Sequence, residues 1–451
     1  SSCREDWSLF KIVELDSLKL NNYGLKVKWQ QYWHPHIKTT VLAMRSDYAY
    51  DYTYDFDVRN SSREDRNGIK NNRICEQQLQ INNTYTNARQ QQWRAGYHLQ
   101  QYSVDSQITG RSRGNITDDE DLSNSFAVHT IYADFSSPTN KKIGIEAGMR
   151  WNYLSIANRN NNFAEPRLRL WYQPTQHLQL YGNAGRYYQF ISQIIEIEGD
   201  EASIQTPIWV LGGTKAFPFL NATQYQLGGV WRHRGWLVDL QLYHKTINGL
   251  TSLASNFDEL TSFRFHIGTA DIRGLDVLIK KRWGAWRSWM SYSYARQQHE
   301  FPTFFDQTFP ATTEQPHQLH LVQTYRIGKF DCSLGWKLTS GTPYSNRRDF
   351  QIINHNRQQD GDFVQLVPSG STFNEKRLPL LHQMDLSLQY SQQTDNRKLV
   401  VGLSILNIYN RRNIYQRSFF INRKSPGQLR LSYLDRANLG FTPNAVIRIE
   451  W

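Results

Sequence analysis

The chain has 451 residues, with 52 Lys or Arg against 40 Asp or Glu and a formal net charge of +12, and only 39% of it is hydrophobic. No apolar run reaches about 18 residues, which excludes a transmembrane helix but not a membrane, because a spanning strand needs only about 9–11 alternating residues. The 14 Trp, 25 Tyr and 22 Phe argue against disorder, and Lys and Arg scattered without a basic helix or stripe argue against nucleic acid.

Period-two alternation places the first strands at 22–33 and 38–56, joined by the tight turn HPHI at 34–37. A longer polar stretch, 58–74, leads to strands at 76–92 and 97–108, with a tight turn near WRAG (93–96). After 109–123 come strands at 124–136 and 143–155 around TNKK (139–142), and after 156–162 strands at 163–173 and 177–192 around PTQ (174–176). The stretch 195–221 precedes strands at 222–233 and 236–249, with the turn RG (234–235) between them. Residues 250–261 precede strands at 262–282 and 286–298 around WGA (283–285). Residues 299–315 precede strands at 316–328 and 330–343 around GK (328–329). The stretch 344–378 leads to strands at 379–392 and 397–409 around QTDN (393–396), and 410–440 leads to a last strand at 441–451.

Each strand has one apolar face. Leu168, Leu170 and Tyr172 oppose Arg167, Arg169 and Trp171, and Trp236, Val238, Leu240 and Leu242 oppose Asp239 and Gln241. In the closing NAVIRIEW, Ala445, Ile447, Ile449 and Trp451 oppose Val446, Arg448 and Glu450. Tight turns alternate with long loops from end to end, as periplasmic turns and outside loops do in an outer-membrane barrel. The expected fold class is therefore all-β, a transmembrane antiparallel β-barrel of the outer membrane, with residues 1–451 as one domain. Apolar side chains face lipid, charged ones face the lumen, and Trp451 lies in the aromatic girdle. The seventeen strands are an odd number, so further strands are expected before Ser1 and residues 1–21 in an outside loop.

The motifs YGNAGRYYQF (181–190), YQLGGVW (225–231), LQLYHKTINGLTSL (240–253) and ADIRGLDVLIKKRWGAWRSWMSYSYA (270–295) follow in order. FPATTEQPHQLHLVQTY (309–325), LTSGTPYS (338–345), RLPLLHQMDLSLQY (377–390) and LSILNIYNRRNIY (403–415) complete the set. Together they resemble the C-terminal barrel of TonB-dependent receptors, most closely the type with a carboxypeptidase-regulatory-like N-terminal extension. The resemblance implies a 22-stranded barrel, so that about five strands, the plug domain and the TonB-contacting box lie outside this sequence. In these motifs Gly182, Gly185 and Gly274 mark places where a strand lacks room or bends, and the Asn residues of LNIYNRRN close an apolar run as the chain leaves the bilayer.

Candidate chemistry is sparse. His34 and His36 flank Pro35 in a turn and lack a third metal ligand. The acidic DDED (118–121) lacks the spacing and glycine of a calcium loop and reads as a solvated or lipopolysaccharide-bridging loop, as does DGD at 360–362. Asn60, Asn82, Asn115 and Asn221 head chance Asn-X-Ser/Thr triplets. Phe304, Phe305, Phe309, Phe350, Phe419 and Phe420 form either a glycan-stacking platform in the outside loops or part of a girdle, the latter being favoured. Arg167, Arg169 and Arg448 on the lumen face would attract an anionic ligand or pair with plug carboxylates. Cys3, Cys75 and Cys332 follow no metal spacing, and pairing of Cys3 with Cys75 stays open.

No catalytic or metal site and no cofactor is expected, and ligand-binding residues stay undefined. The expected function is active uptake of a scarce nutrient (siderophore-iron, cobalamin, glycan or peptide), with energy from the periplasmic TonB protein as the resemblance implies. A passive porin or secretion-type pore without a plug is the alternative; an outer-membrane enzyme barrel would have fewer strands. The expected partners are outer-membrane lipid and lipopolysaccharide, the plug and missing strands on a preceding segment or separate chain, TonB, and a surface lipoprotein.

Overall fold

The computed structural model describes residues 11–59, 66–112, 115–138, 142–156, 159–196, 208–255, 263–345, 350–355, 363–368, 373–394, 397–425 and 428–450. Seventeen strands form the wall among these residues. They are β1 (Lys11–His34), β2 (Ile37–Arg59), β3 (Arg66–Thr86), β4 (Gln92–Ser112), β5 (Asn124–Ser136) and β6 (Ile143–Ile156). Then come β7 (Arg159–Thr175), β8 (Leu178–Gln189), β9 (Leu220–His233), β10 (Trp236–Ser255), β11 (Phe263–Trp283) and β12 (Trp286–Phe301). The row ends with β13 (His317–Ile327), β14 (Phe330–Thr339), β15 (Leu381–Thr394), β16 (Arg397–Leu406) and β17 (Thr442–Glu450). Every wall strand pairs antiparallel with the next in chain order, the simplest way to satisfy all backbone amides in lipid.

The register fixes which face is which. Leu227, Leu242, Leu275 and Tyr294 are direct neighbours on four successive strands and belong to an apolar outward belt. At the tight-turn end the belt closes in stacked aromatics. Trp93 lies 5.6 Å from Tyr85 and 5.3 Å from Phe135, and Trp286 lies 6.3 Å from Trp283 and 4.5 Å from Tyr325. Lys281 lays its stem along this girdle, with Nζ 4.7 Å above the Trp236 ring and donating to the Arg234 carbonyl at 3.0 Å. Further along the strands tyrosines meet histidines: Tyr97 Oη with His129 Nδ1 at 2.7 Å in mid-strand, and Tyr292 Oη with His317 Nδ1 at 2.9 Å where β13 begins. From Trp236 to His244 the strand rises roughly 26 Å, which a tilt of about 40° reduces to a height near the apolar band of such barrels.

Three details depart from the sequence reading. The turn expected at WRAG lies at 87–91, where Gln90 takes a positive φ of 61° and the Asn87 side chain accepts from Gln91 N at 2.9 Å; Trp93 to Gly96 lie inside β4. Asn87 supplies this turn by itself, and no Gly or Pro announces it. Residues 156–162 form no long loop, because β6 runs to Ile156 and β7 starts at Arg159. Residues 11–21 continue β1 instead of lying in a loop, so β1 and β2 pair over more than 20 residues, about twice the length a spanning strand needs.

Smaller elements crowd the loop end. Asn115–Asp121 pairs back on β4, Phe350–His355 pairs with Phe363–Pro368, and Ile414–Ser425 pairs with Gln428–Ala437. The connection from β8 to β9 turns inward. Its strands Ile191–Glu196 and Ile208–Leu211 pair with each other, and buried Asn72 of β3 donates through Nδ2 to the Trp209 carbonyl at 3.0 Å.

Candidate functional site

Inside the wall, alternate residues of β3 to β8 build a continuous polar lattice. Asp134 of β5 accepts from Arg167 Nη2 at 3.3 Å, with Arg94 Nη2 of β4 3.8 Å away. Buried Glu165 accepts from Asn152 Nδ2 at 3.1 Å and from Tyr188 N at 3.0 Å, while Thr130 Oγ1 donates to Asn152 Oδ1 at 2.7 Å. Tyr132 Oη donates to Asn82 Oδ1, which His98 Nε2 also approaches at 3.3 Å. Arg167, read as a lumenal cation, is thus already engaged by a wall carboxylate.

Lower down, towards the tight turns, the lumen becomes basic. Arg232, Lys280, Arg282, Arg287 and Arg326 share the inward register, and Arg282 stands directly opposite Arg287. Asp331 holds Arg326 at 2.6 Å through two hydrogen bonds. Arg169 lies over the Tyr181 ring at 5.4 Å and joins Glu146, Trp171, His177, Gln179 and Arg232 around a cleft of about 330 Å³. The Trp171 ring lies across Gly144, where a Cβ would clash with it, and its buried Nε1 has no acceptor among the described residues. At Gly274 a Cβ would run into the Tyr243 ring in the same way, whereas at Gly182 it would meet Leu227 at 3.2 Å and the Gln226 carbonyl at 3.8 Å. Arg448 of β17 faces the lumen beside Val400.

At the mouth, three of the sequence motifs close on one another. Glu314 from the β12–β13 connection is 3% exposed; it accepts from Gln297 N at 2.8 Å and pairs with Arg377 Nη2. Arg377 Nη1 also donates to the Glu314 carbonyl at 3.0 Å and the Gly341 carbonyl at 3.3 Å. A Cβ on Gly341 would lie 1.9 Å from the Leu378 carbonyl, so only glycine fits. Beside this lock, Phe301, Phe309 and Phe373 bury their rings together, with Phe304 and Phe305 packed against them. Phe309 is 1% exposed. Neither the stacking platform nor the girdle therefore describes this group: it is the core of the folded mouth. The backbones of Phe350, Phe419 and Phe420 lie in loop hairpins, and their side chains lie outside the described residues.

His299 is buried against this cluster, and burial pushes its imidazole down to about 4. His266 Nδ1 meets Thr303 Oγ1 at 2.9 Å. Arg417 in the last loop hairpin holds Asp435 at 2.7 and 2.9 Å, which raises the guanidinium pKa above its ordinary value. Nothing in the periodicity marks Glu314, His266 or His299; the only available signal is the polar interruption TTEQPHQ between two apolar runs.

His34 and His36 flank the β1–β2 turn with rings 5.2 Å apart, and no group of three or more metal-ligating residues gathers among the described residues. Asp121 accepts from Ser123 N and Oγ, while Asp118 and Asp119 side chains lie outside the described residues, as do DGD, Asn60, Cys3 and Trp451. Asn221 accepts from Asn248, and the Asn115 side chain is not among those described. Cys75 is a free thiol on the outward face opposite Asp47, and Cys332 is also free.

A family model described as TonB dependent receptor-like, beta-barrel matches residues 10–429. The chain belongs to the TonB-dependent receptor β-barrel family. No curated protein matches it in sequence. Among solved structures, this TonB-dependent receptor barrel is similar to the siderophore receptor PiuA from Acinetobacter baumannii (TM-score 0.61, 11% identity, 96% of this chain and 65% of that one). It is also similar to the ferric yersiniabactin uptake receptor FyuA from Yersinia pestis (0.59, 12%, 92% and 61%) and to the unliganded ferric citrate transporter FecA (0.60, 13%, 96% and 62%). At these identities the likeness is one of fold. The chain spans less than two thirds of each of these structures. The family and its structural neighbours are receptors and transporters, not enzymes.

Proposed function

We propose that residues 1–451 form one barrel domain, most of the wall and outer mouth of a Gram-negative outer-membrane receptor that takes up a scarce nutrient with energy delivered by TonB. A ferric siderophore is the favoured cargo class, since the similar structures carry names of siderophore and ferric-chelate receptors. The observation that carries the reading is the lumen wall: a polar lattice above a basic lower band, with Arg282 opposite Arg287, suits a lumen filled by an acidic-faced plug. An open passive pore would leave those paired arginines facing water. The plug, the further strands and a carboxypeptidase-regulatory-like extension would belong to a preceding segment or a separate chain. Uptake of a radiolabelled ferric siderophore by intact cells tests the proposal. Uptake should vanish on deletion of the receptor gene and equally on loss of TonB or of the proton gradient. Uptake that survives without TonB would instead identify a passive pore.

A further inference from the structure

We propose that the outward face of β9–β12, just above the apolar belt, is a docking site for a phosphorylated glycolipid headgroup of the outer leaflet. Tyr225, His244, Arg273 and Arg296 stand in register across these four strands. The next outward row below them is Leu227, Leu242, Leu275 and Tyr294. The upper row therefore lies about 7 Å along the strands from the last apolar side chains, at the height where acyl chains give way to headgroups.

The charges point to an anion. Arg273 and Arg296 are direct cross-strand partners, and like charges so placed destabilise a sheet unless something neutralises them. Asp271 binds His244 Nε2 at 2.7 Å and Arg273 Nε at 2.8 Å, and among the described residues no second carboxylate is paired there, so the row keeps an excess cation. Both arginines are exposed to the membrane side. On β2, by contrast, outward-facing Arg45 is held by both oxygens of Asp47 at 2.8 and 3.1 Å. Two guanidinium forks side by side match the oxygens of one phosphate, and Tyr225 and Tyr294 frame the interface as aromatics do at a headgroup boundary. The lipid source is favoured over free phosphate because the leucine row beneath supplies acyl-chain contact that a soluble anion cannot use.

The proposal rests on which face meets lipid and not on the uptake reading, so it stands or falls independently of transport. The test is native mass spectrometry of the full-length receptor in mild detergent, titrated with diphosphorylated lipid A, with its dephosphorylated form and with inorganic phosphate. The wild type should retain diphosphorylated lipid A and neither of the other probes. R273Q/R296Q should bind it on the order of tenfold more weakly with heat-modifiable migration unchanged. D271N, which removes the neutralising carboxylate, should bind at least as tightly as wild type. Equal retention by the double arginine variant, equal binding of the dephosphorylated lipid, tight binding of phosphate alone or weakened binding by D271N would each overturn the assignment.

Discussion

Single side chains decide how the mouth holds together. Glu314 is sequestered with its charge matched by Arg377, and removing one partner of a buried pair leaves the other uncompensated. Glu314→Gln should destabilise the mouth by about 3 kcal/mol, read as faster limited proteolysis of the loops while the wall stays intact. His299 gives the same region a pH response. Its folded-state pKa of about 4 lies below the ordinary 6.5, so between those values the unfolded segment takes up a proton that the folded one excludes. Stability of the mouth is full above about pH 6.5 and falls as pH drops towards 4, by up to about 3 kcal/mol. Amide protection factors around Phe301 and Phe309, after correction for the intrinsic pH dependence of exchange, should fall between pH 7 and 5, and His299→Phe should flatten that difference. Neither residue was legible in the sequence, because each owes its role to partners brought from distant loops.

At the scale of elements, alternation and loop length carried the fold. Each of the seventeen expected strands has its counterpart in the wall, since a strand between lipid and water must repeat every two residues. Boundaries were weaker. Above the bilayer neither face meets lipid, so β1 to β4 continue through polar sequence without a pattern to show it. The Asn residues of LNIYNRRN do more than close a run. Asn407 adopts a positive φ of 55°, accepts from Arg411 N at 3.0 Å and donates to the Arg411 and Leu439 carbonyls. Asn413 bridges to His382 through both N–H and carbonyl. Asn407→Ala should lower stability by about 2–3 kcal/mol, and Asn407→Gly by less because it restores the backbone freedom but not the bonds; thermal unfolding in detergent resolves the two.

For the whole molecule, the governing fact is that one face of the sheet meets lipid and the other a polar lumen. Leu240 and Gln241 are adjacent in β10 and point opposite ways. Leu240→Arg should destabilise the barrel by about 2–4 kcal/mol and Gln241→Arg by much less, measured as urea unfolding of the receptor in lipid vesicles. Equal penalties would contradict the assignment of faces.

The sequence by itself determined the class of fold, the strand number and the two faces, because those follow from a local period that lipid and water impose on every strand alike. Tertiary structure alone decided that the β8–β9 connection turns inward, that the mouth phenylalanines form a buried core, and that Glu314, Arg377 and Gly341 lock three motifs together. It also decided that Arg273 and Arg296 are neighbours. Those relations depend on cross-strand register and on loops returning over the mouth, which no local pattern encodes.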